Sequence, residues 1–154
     1  MASKSHNEIV DVSEFDPRAI PRSSTWVVVG APGSGKSTFM ENMMYYNKDK
    51  YPSGRASVGT ETGYQRMCEV MHPLFVSNDY NEEDHTRLAT RQNLCIRENG
   101  LEYFGNYSVN MMDDVGSQQM FKLEIMRNMF KRGSQHWKQL NMIGTQYAID
   151  FPPD

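Results

Sequence analysis

The sequence predicts an α/β fold in which a mainly parallel sheet is flanked by helices, and three observations carry that expectation. Short β-branched or apolar runs alternate with longer stretches that are apolar at helical spacing. The first run passes into the first helix through a glycine-rich turn. A later run delivers two adjacent aspartates at its carboxyl end, the edge at which open α/β sheets hold their ligands.

Taken in order, residues 1–22 are polar, mix charges of both signs and contain Pro17 and Pro21, so they read as a leader that packs little ahead of one domain over 23–154. Thr25-Trp26-Val27-Val28-Val29 is a strand by its β-branched and aromatic content. Phe39 to Tyr46 lacks Gly and Pro and forms a helix. Arg55 to Gly59 is a second strand, Tyr64 to His72 a helix stopped by Pro73, and Leu74-Phe75-Val76 a brief extended piece. Asn81 followed by Glu82, Glu83 and Asp84 starts a helix, because its side-chain oxygen caps orphan N–H groups and the acids suit the positive end of the dipole. That helix runs to about Glu98 and ends at Asn99-Gly100. Tyr107 to Met112 is the next strand. Ser117 caps a helix from Gln118 to about Arg132 with Leu123, Met126 and Phe130 as its apolar stripe, and Leu140 to Thr145 is a further strand that ends at Gln146.

The turn after the first strand reads Gly30-Ala31-Pro32-Gly33-Ser34-Gly35-Lys36-Ser37-Thr38, the phosphate-binding pattern GxxxxGK[ST] in its strand-to-helix context. The glycines let the backbone approach a polyphosphate with no Cβ in the way, and successive N–H groups at a helix N-terminus supply positive potential. Lys36 reaches the β- and γ-phosphates, the Ser37 hydroxyl is a hard oxygen ligand for Mg²⁺, and Thr38 bonds the α-phosphate. These residues predict a nucleoside triphosphate site and a P-loop NTPase fold.

Composition narrows the class. With 38% hydrophobic and 23% charged residues and a net charge of −3, the chain reads as one globular domain rather than a generally sticky nucleic-acid binder. No run reaches the length of a membrane span, and the N-terminus lacks the apolar core of a secretion signal, so an intracellular, reducing space is expected. Cys68 and Cys95 are too few for a disulfide framework and read as small buried hydrophobes. Lys131, Arg132, His136 and Lys138, interleaved with Trp137, form the positive cluster. It is either a local DNA contact or the solvated end of a helix.

Asp113 ends an apolar strand, where a carboxylate holds Mg²⁺ against the phosphates, and Asp114 follows it as the group to orient the attacking water. The bland alternative is an Asp-rich turn. Gln146 ends the neighbouring strand, in reach of the γ-phosphate or the water. Glu61, after the second strand, is the competing candidate for water activation.

The ordered motifs Gly30 to Thr38, Gly59-Thr60-Glu61, Arg91-Gln92, Met111-Met112-Asp113-Asp114, Met129-Phe130-Lys131-Arg132-Gly133 with His136-Trp137, Gly144-Thr145-Gln146-Tyr147 and Pro152-Pro153 resemble those of the DNA-packaging ATPases of nucleo-cytoplasmic large DNA viruses, within the HerA/FtsK-type DNA pumps. The resemblance implies a RecA/HerA-like P-loop NTPase fold, Mg²⁺-dependent ATP hydrolysis in a homo-oligomeric ring, double-stranded DNA and viral capsid proteins as partners, and a place in the host cytoplasm, the virus factory or the virion. Gln135 stands where that family usually writes an Arg before the His, and the family continues past the Pro-Pro, so the resemblance implies a domain truncated at its C-terminus. Its arginine finger then lies beyond residue 154 or on another polypeptide, with Arg127 and Arg132 as internal candidates. The alternatives are a nucleotide-binding or assembly module without turnover and a small-molecule P-loop kinase.

Overall fold

The computed structural model describes residues 13–146. Five strands, β1 (Ser24–Val29), β2 (Ser53–Val58), β3 (Val76–Ser77), β4 (Ser108–Asp113) and β5 (Gln139–Thr145), form one sheet in the order β1-β5-β4-β2-β3. Every pairing is parallel, so all strand carboxyl ends share one edge. The register sets Val29 opposite Thr145 and Asp113 opposite Gly144, which lines up the end of the first strand with the aspartates two strands away.

Helices cover both faces, which is why β4 and β5 are buried along their whole length. On one face α1 (Lys36–Asn47) and α2 (Glu61–Met67) set Met40, Met43, Met44 and Met67 against Val109, Met111, Leu140 and Met142. On the other α3 (Glu82–Asn99), α4 (Gln118–Phe121) and α5 (Glu124–Arg132) pack Ala89, Met120, Phe121, Met126 and Met129 against Met112 and Ile143. The period-2 alternation of β4 and β5 sorts those side chains to the two faces.

Polar ties fix α3. Asn81 Oδ1 accepts from the Glu83 and Asp84 N–H groups at 2.9 and 3.4 Å, and Asp84 pairs with Arg55 of β2. At the far end the fully buried Gln92 donates to the carbonyls of Trp137, at 2.6 Å, and Asn106. His85 is buried against Tyr80, ring to ring at 4.8 Å, with Nε2 3.2 Å from Ser57 Oγ.

The sheet and its flanking helices are as expected, and the differences are local. α2 starts at Glu61 rather than Tyr64, because Thr60 Oγ1 caps it by accepting from Gly63 N–H at 3.2 Å, and it ends at Met67, with a tight turn in place of the helix up to His72. The single helix expected over 118–132 is broken into α4 and α5. The Lys122 and Leu123 N–H groups close three-residue turns onto Gln119 and Met120, and Leu123 is extended, which redirects the chain so that Met120 and Met126 enter the same core. Phe130 therefore turns outward, 37% exposed, and Met129 takes its place in the stripe. Cys68 and Cys95 are only half-buried. Within the segment expected to pack little, a short 3₁₀ turn at Pro17–Ala19 leads to a buried Ile20, and Asn47 of α1 donates to the Pro17 carbonyl at 2.8 Å. Residues 1–12, Tyr147 and the Pro152-Pro153 pair lie outside the described residues.

Candidate functional site

The loop leaves the end of β1 with Gly30 N–H donating to the Thr145 carbonyl of β5 at 3.2 Å, and closes on itself through Ser34 N–H to Ala31 O at 3.1 Å. Gly33 and Gly35 take φ of +75° and +88°, the left-handed region that a side chain resists, and this curls the chain so that α1 starts at Lys36. No side chain caps α1, so the N–H groups of its first turn remain available to an anion, and no acid stands in that turn to oppose one. Lys36 lies folded back over the loop, its Nζ donating to the carbonyls of Gly30 and Ala31 at 2.7 and 3.2 Å. An ammonium parked on two neutral carbonyls moves readily to phosphate oxygens, where the bonds are charge-assisted.

Asp113 closes β4 and is 3% exposed. Ser37 donates its hydroxyl to the carboxylate, while Oδ1 is buried with no hydrogen-bond partner. Burial pushes the Asp113 carboxyl up. The Ser37 bond opposes that push, the charge of Asp114 adds to it, and the cations Lys36 and Arg66 oppose it. A desolvated carboxylate with an orphaned oxygen beside a serine hydroxyl is a hard-oxygen donor pair that fits Mg²⁺. Gly144 is what leaves room for it, since a Cβ there would stand 2.6 Å from Asp113 Oδ1.

Asp114 is exposed and has φ of +56°, a conformation Asp tolerates better than most residues. Its N–H donates to the Gly144 carbonyl at 3.2 Å, and the kink turns its side chain toward the end of β5. There Gln146 Nε2 donates to both Asp114 oxygens, at 3.0 and 3.3 Å. Lys36, Ser37, Asp113, Asp114 and Gln146 thus share the carboxyl edge of β1, β5 and β4. Glu61 stands in the first turn of α2, three residues past the end of β2 at the same edge, and its carboxylate accepts from Gln65 at 3.2 Å and Asn78 at 3.4 Å.

Glu41 and Arg66 join the site without having been singled out by sequence. Arg66 Nε of α2 meets Glu41 Oε1 of α1 at 3.2 Å, and both charges act on Asp113. The available signal was Glu41 standing four residues after Ser37 on one helix face. The Trp137 cluster resolves differently: Trp137 is buried and donates from Nε1 to Asn93 at 3.0 Å, and Lys138 pairs with Glu102 at 3.5 Å.

No family model matches the chain. An uncharacterized protein, 075L, of Invertebrate iridescent virus 6 is 31% identical over 131 residues, covering 82% of this chain and 48% of its own length. Uncharacterized protein 015R of Frog virus 3 (isolate Goorha) is 30% identical over 129 residues, with 83% and 39% covered. Uncharacterized protein 088R of Invertebrate iridescent virus 3 is 28% identical over 130 residues, with 82% and 47% covered. The chain spans about half the length of these relatives, or less. Among solved structures, the genome packaging NTPase B204 from Sulfolobus turreted icosahedral virus 2, in complex with ATP-gammaS, superposes with a TM-score of 0.54 at 15% identity, covering 86% of this chain and 68% of that one. The fold is that of a P-loop NTPase. Among the described residues no helix is long and apolar enough to cross a membrane.

Proposed function

We propose that this chain is the ATP-hydrolysing part of a DNA-packaging motor of a large DNA virus, of the HerA/FtsK type, working as a homo-oligomeric ring that drives double-stranded DNA into a capsid. The observation that carries the reading is the shared strand edge on which the Lys36 loop, the Ser37–Asp113 pair and the Asp114–Gln146 pair meet. Viral relatives and a genome-packaging fold neighbour support the setting.

Lys36 exchanges the Gly30 and Ala31 carbonyls for β- and γ-phosphate oxygens. Ser37 and Asp113 would hold Mg²⁺, which would supply charge neutralisation to the phosphates there. Asp114 orients a water and takes its proton, and the Gln146 amide, already bonded to both Asp114 oxygens, aims that carboxylate and senses the γ-phosphate. A positive group from a neighbouring subunit completes the charge balance.

Asp114→Asn should bind Mg-ATP with wild-type affinity yet lose roughly 10² to 10⁴ in hydrolysis, while Lys36→Ala loses binding as well. Wild-type activity should rise with protein concentration and with duplex DNA. Normal turnover in Asp114→Asn together with loss in Glu61→Gln would move the base to Glu61, and tight nucleotide binding with no turnover under any of these conditions would favour the assembly-module reading.

A further inference from the structure

The end of the sheet opposite the nucleotide loop gathers cations laid over exposed aromatic rings. Because all strands are parallel, the segments that precede β1, β2 and β4 converge there, and α1 delivers its last turn to the same place. The Arg18 guanidinium sits 4.7 Å from the centre of the Tyr46 ring, Lys48 Nζ 5.2 Å from Tyr45, and Arg22 5.5 and 5.7 Å from Tyr107 and Phe104. Tyr45 and Tyr46 meet edge to face at 5.4 Å, and Lys50 donates to the Arg18 carbonyl, which ties the pieces together.

Two features separate this surface from ordinary solvated lysines and arginines. Significant cation–ring contacts occur about once per 70–80 residues, whereas the four found among the described residues all fall at this one end. The rings also remain open: Tyr45, Tyr46 and Phe104 are 57%, 41% and 47% exposed. A cation spread on a ring is pre-ordered at little entropic cost, and among the described residues Arg18, Arg22 and Lys48 form no ion pair with a carboxylate. Of the acids in the same segments, Asp16 accepts from the Arg18 backbone N–H at 2.9 Å, Glu102 pairs with Lys138 at 3.5 Å, Asp49 stands between Lys48 and Lys50, and Glu14 precedes them.

We propose that this end is a nucleic-acid docking surface on which Arg18, Arg22 and Lys48, held over their rings, contact the phosphate backbone of double-stranded DNA. The inference rests on the packaging reading above and adds the place of contact. α1 links the two ends: it begins at Lys36 in the nucleotide loop and carries Tyr45 and Tyr46 about 14–15 Å further along its axis.

The test is fluorescence anisotropy of a labelled 30-base-pair duplex with the full chain, across a salt series, against the triple variant Arg18→Gln, Arg22→Gln, Lys48→Gln. Mg-ATPγS binding and far-UV circular dichroism serve as controls. The variant should bind duplex at least tenfold more weakly at about 0.1 M salt and lose about three from the slope of log K against log salt, at about 0.9 per phosphate contact, with nucleotide affinity unchanged. Unchanged duplex binding in a folded triple variant overturns the surface, as does loss confined to the pair Lys131→Gln, Arg132→Gln at the end of α5. A wild-type preference for single strands of equal length overturns the duplex assignment. Should the triple variant misfold, Arg22→Gln alone is read by the same slope, with a loss of about one expected and no loss refuting its contact. Failure of the wild type to bind Mg-ATPγS defeats the packaging reading, while the DNA titration still reports on the surface by itself.

Discussion

Gly144→Ala is the sharpest probe of the site, because one methyl group would touch both the stability and the chemistry. Its Cβ would stand 2.6 Å from Asp113 Oδ1 and 2.9 Å from Met40 Sδ, far inside ordinary contact on both sides. Met40 is fully buried, so its thioether has little room to retreat, and the carboxylate must shift as well. Overpacking of this kind costs about 1–3 kcal/mol. With an unfolding entropy of about 2.1 cal/mol/K per residue, about 0.3 kcal/mol/K for the chain, the melting temperature should fall by roughly 3–9 °C. The moved carboxylate should also weaken Mg-ATP binding while metal-free nucleotide binding changes little. Differential scanning fluorimetry and a nucleotide titration with and without Mg²⁺ read the two effects. The double variant Gly144→Ala, Met40→Leu relieves the sulfur contact alone, so it should recover part of the melting temperature and none of the metal dependence. Full recovery of both, or wild-type metal dependence in Gly144→Ala itself, would refute the assignment of Asp113 Oδ1 to the cation.

Two further outcomes follow from buried polar groups. Burial, helped by the Arg55 charge, lowers the His85 pKa from 6.5 to about 4, so between those values the unfolded chain binds the extra proton; stability is intact above about pH 6.5 and falls on acidification toward pH 4, by up to about 3 kcal/mol in total. Melting curves from pH 7 to 4.5 should show that loss in the wild type and a much flatter profile in His85→Gln, and equal slopes would refute it. Gln92→Leu strands the carbonyls of Asn106 and Trp137, each at about 1–3 kcal/mol, so urea unfolding should show a loss of about 2–6 kcal/mol at unchanged m-value, and a loss under 1 kcal/mol would mean that water replaces the amide.

What the sequence discloses depends on how local the physics is. The phosphate loop is legible because its turn, its lysine and its hydroxyl are neighbours in the chain, and Asp113 because an apolar run announces a strand whose end has one place to point. The Gln146–Asp114 contact is half legible: each residue is visible at a strand end, but their pairing needs β5 to insert beside β4. Glu41 and Arg66 meet only after α2 packs on α1: the helical spacing from Ser37 marks Glu41 alone, and nothing local marks Arg66 as its partner. The break at Lys122 and Leu123 is hidden because the apolar period continues across it. The exchange of Phe130 for Met129 is hidden because adjacent apolar residues fit a helical stripe about equally well. Trp137 misleads for the opposite reason, its charged neighbours masking a buried ring.

The methionine content of the core has a consequence for redox exposure. Met40, Met43, Met44, Met67, Met111, Met112, Met126 and Met142 are fully enclosed, and Met40 lies directly under the strand end that carries the aspartates. Unbranched thioethers fill irregular gaps and adapt to shifting neighbours at little cost. The same atoms are the oxidisable ones. Conversion of a thioether to its sulfoxide would place a polar, chiral oxygen within an apolar layer, so oxidants that reach the interior during breathing would disable the molecule from inside while leaving its surface unaltered.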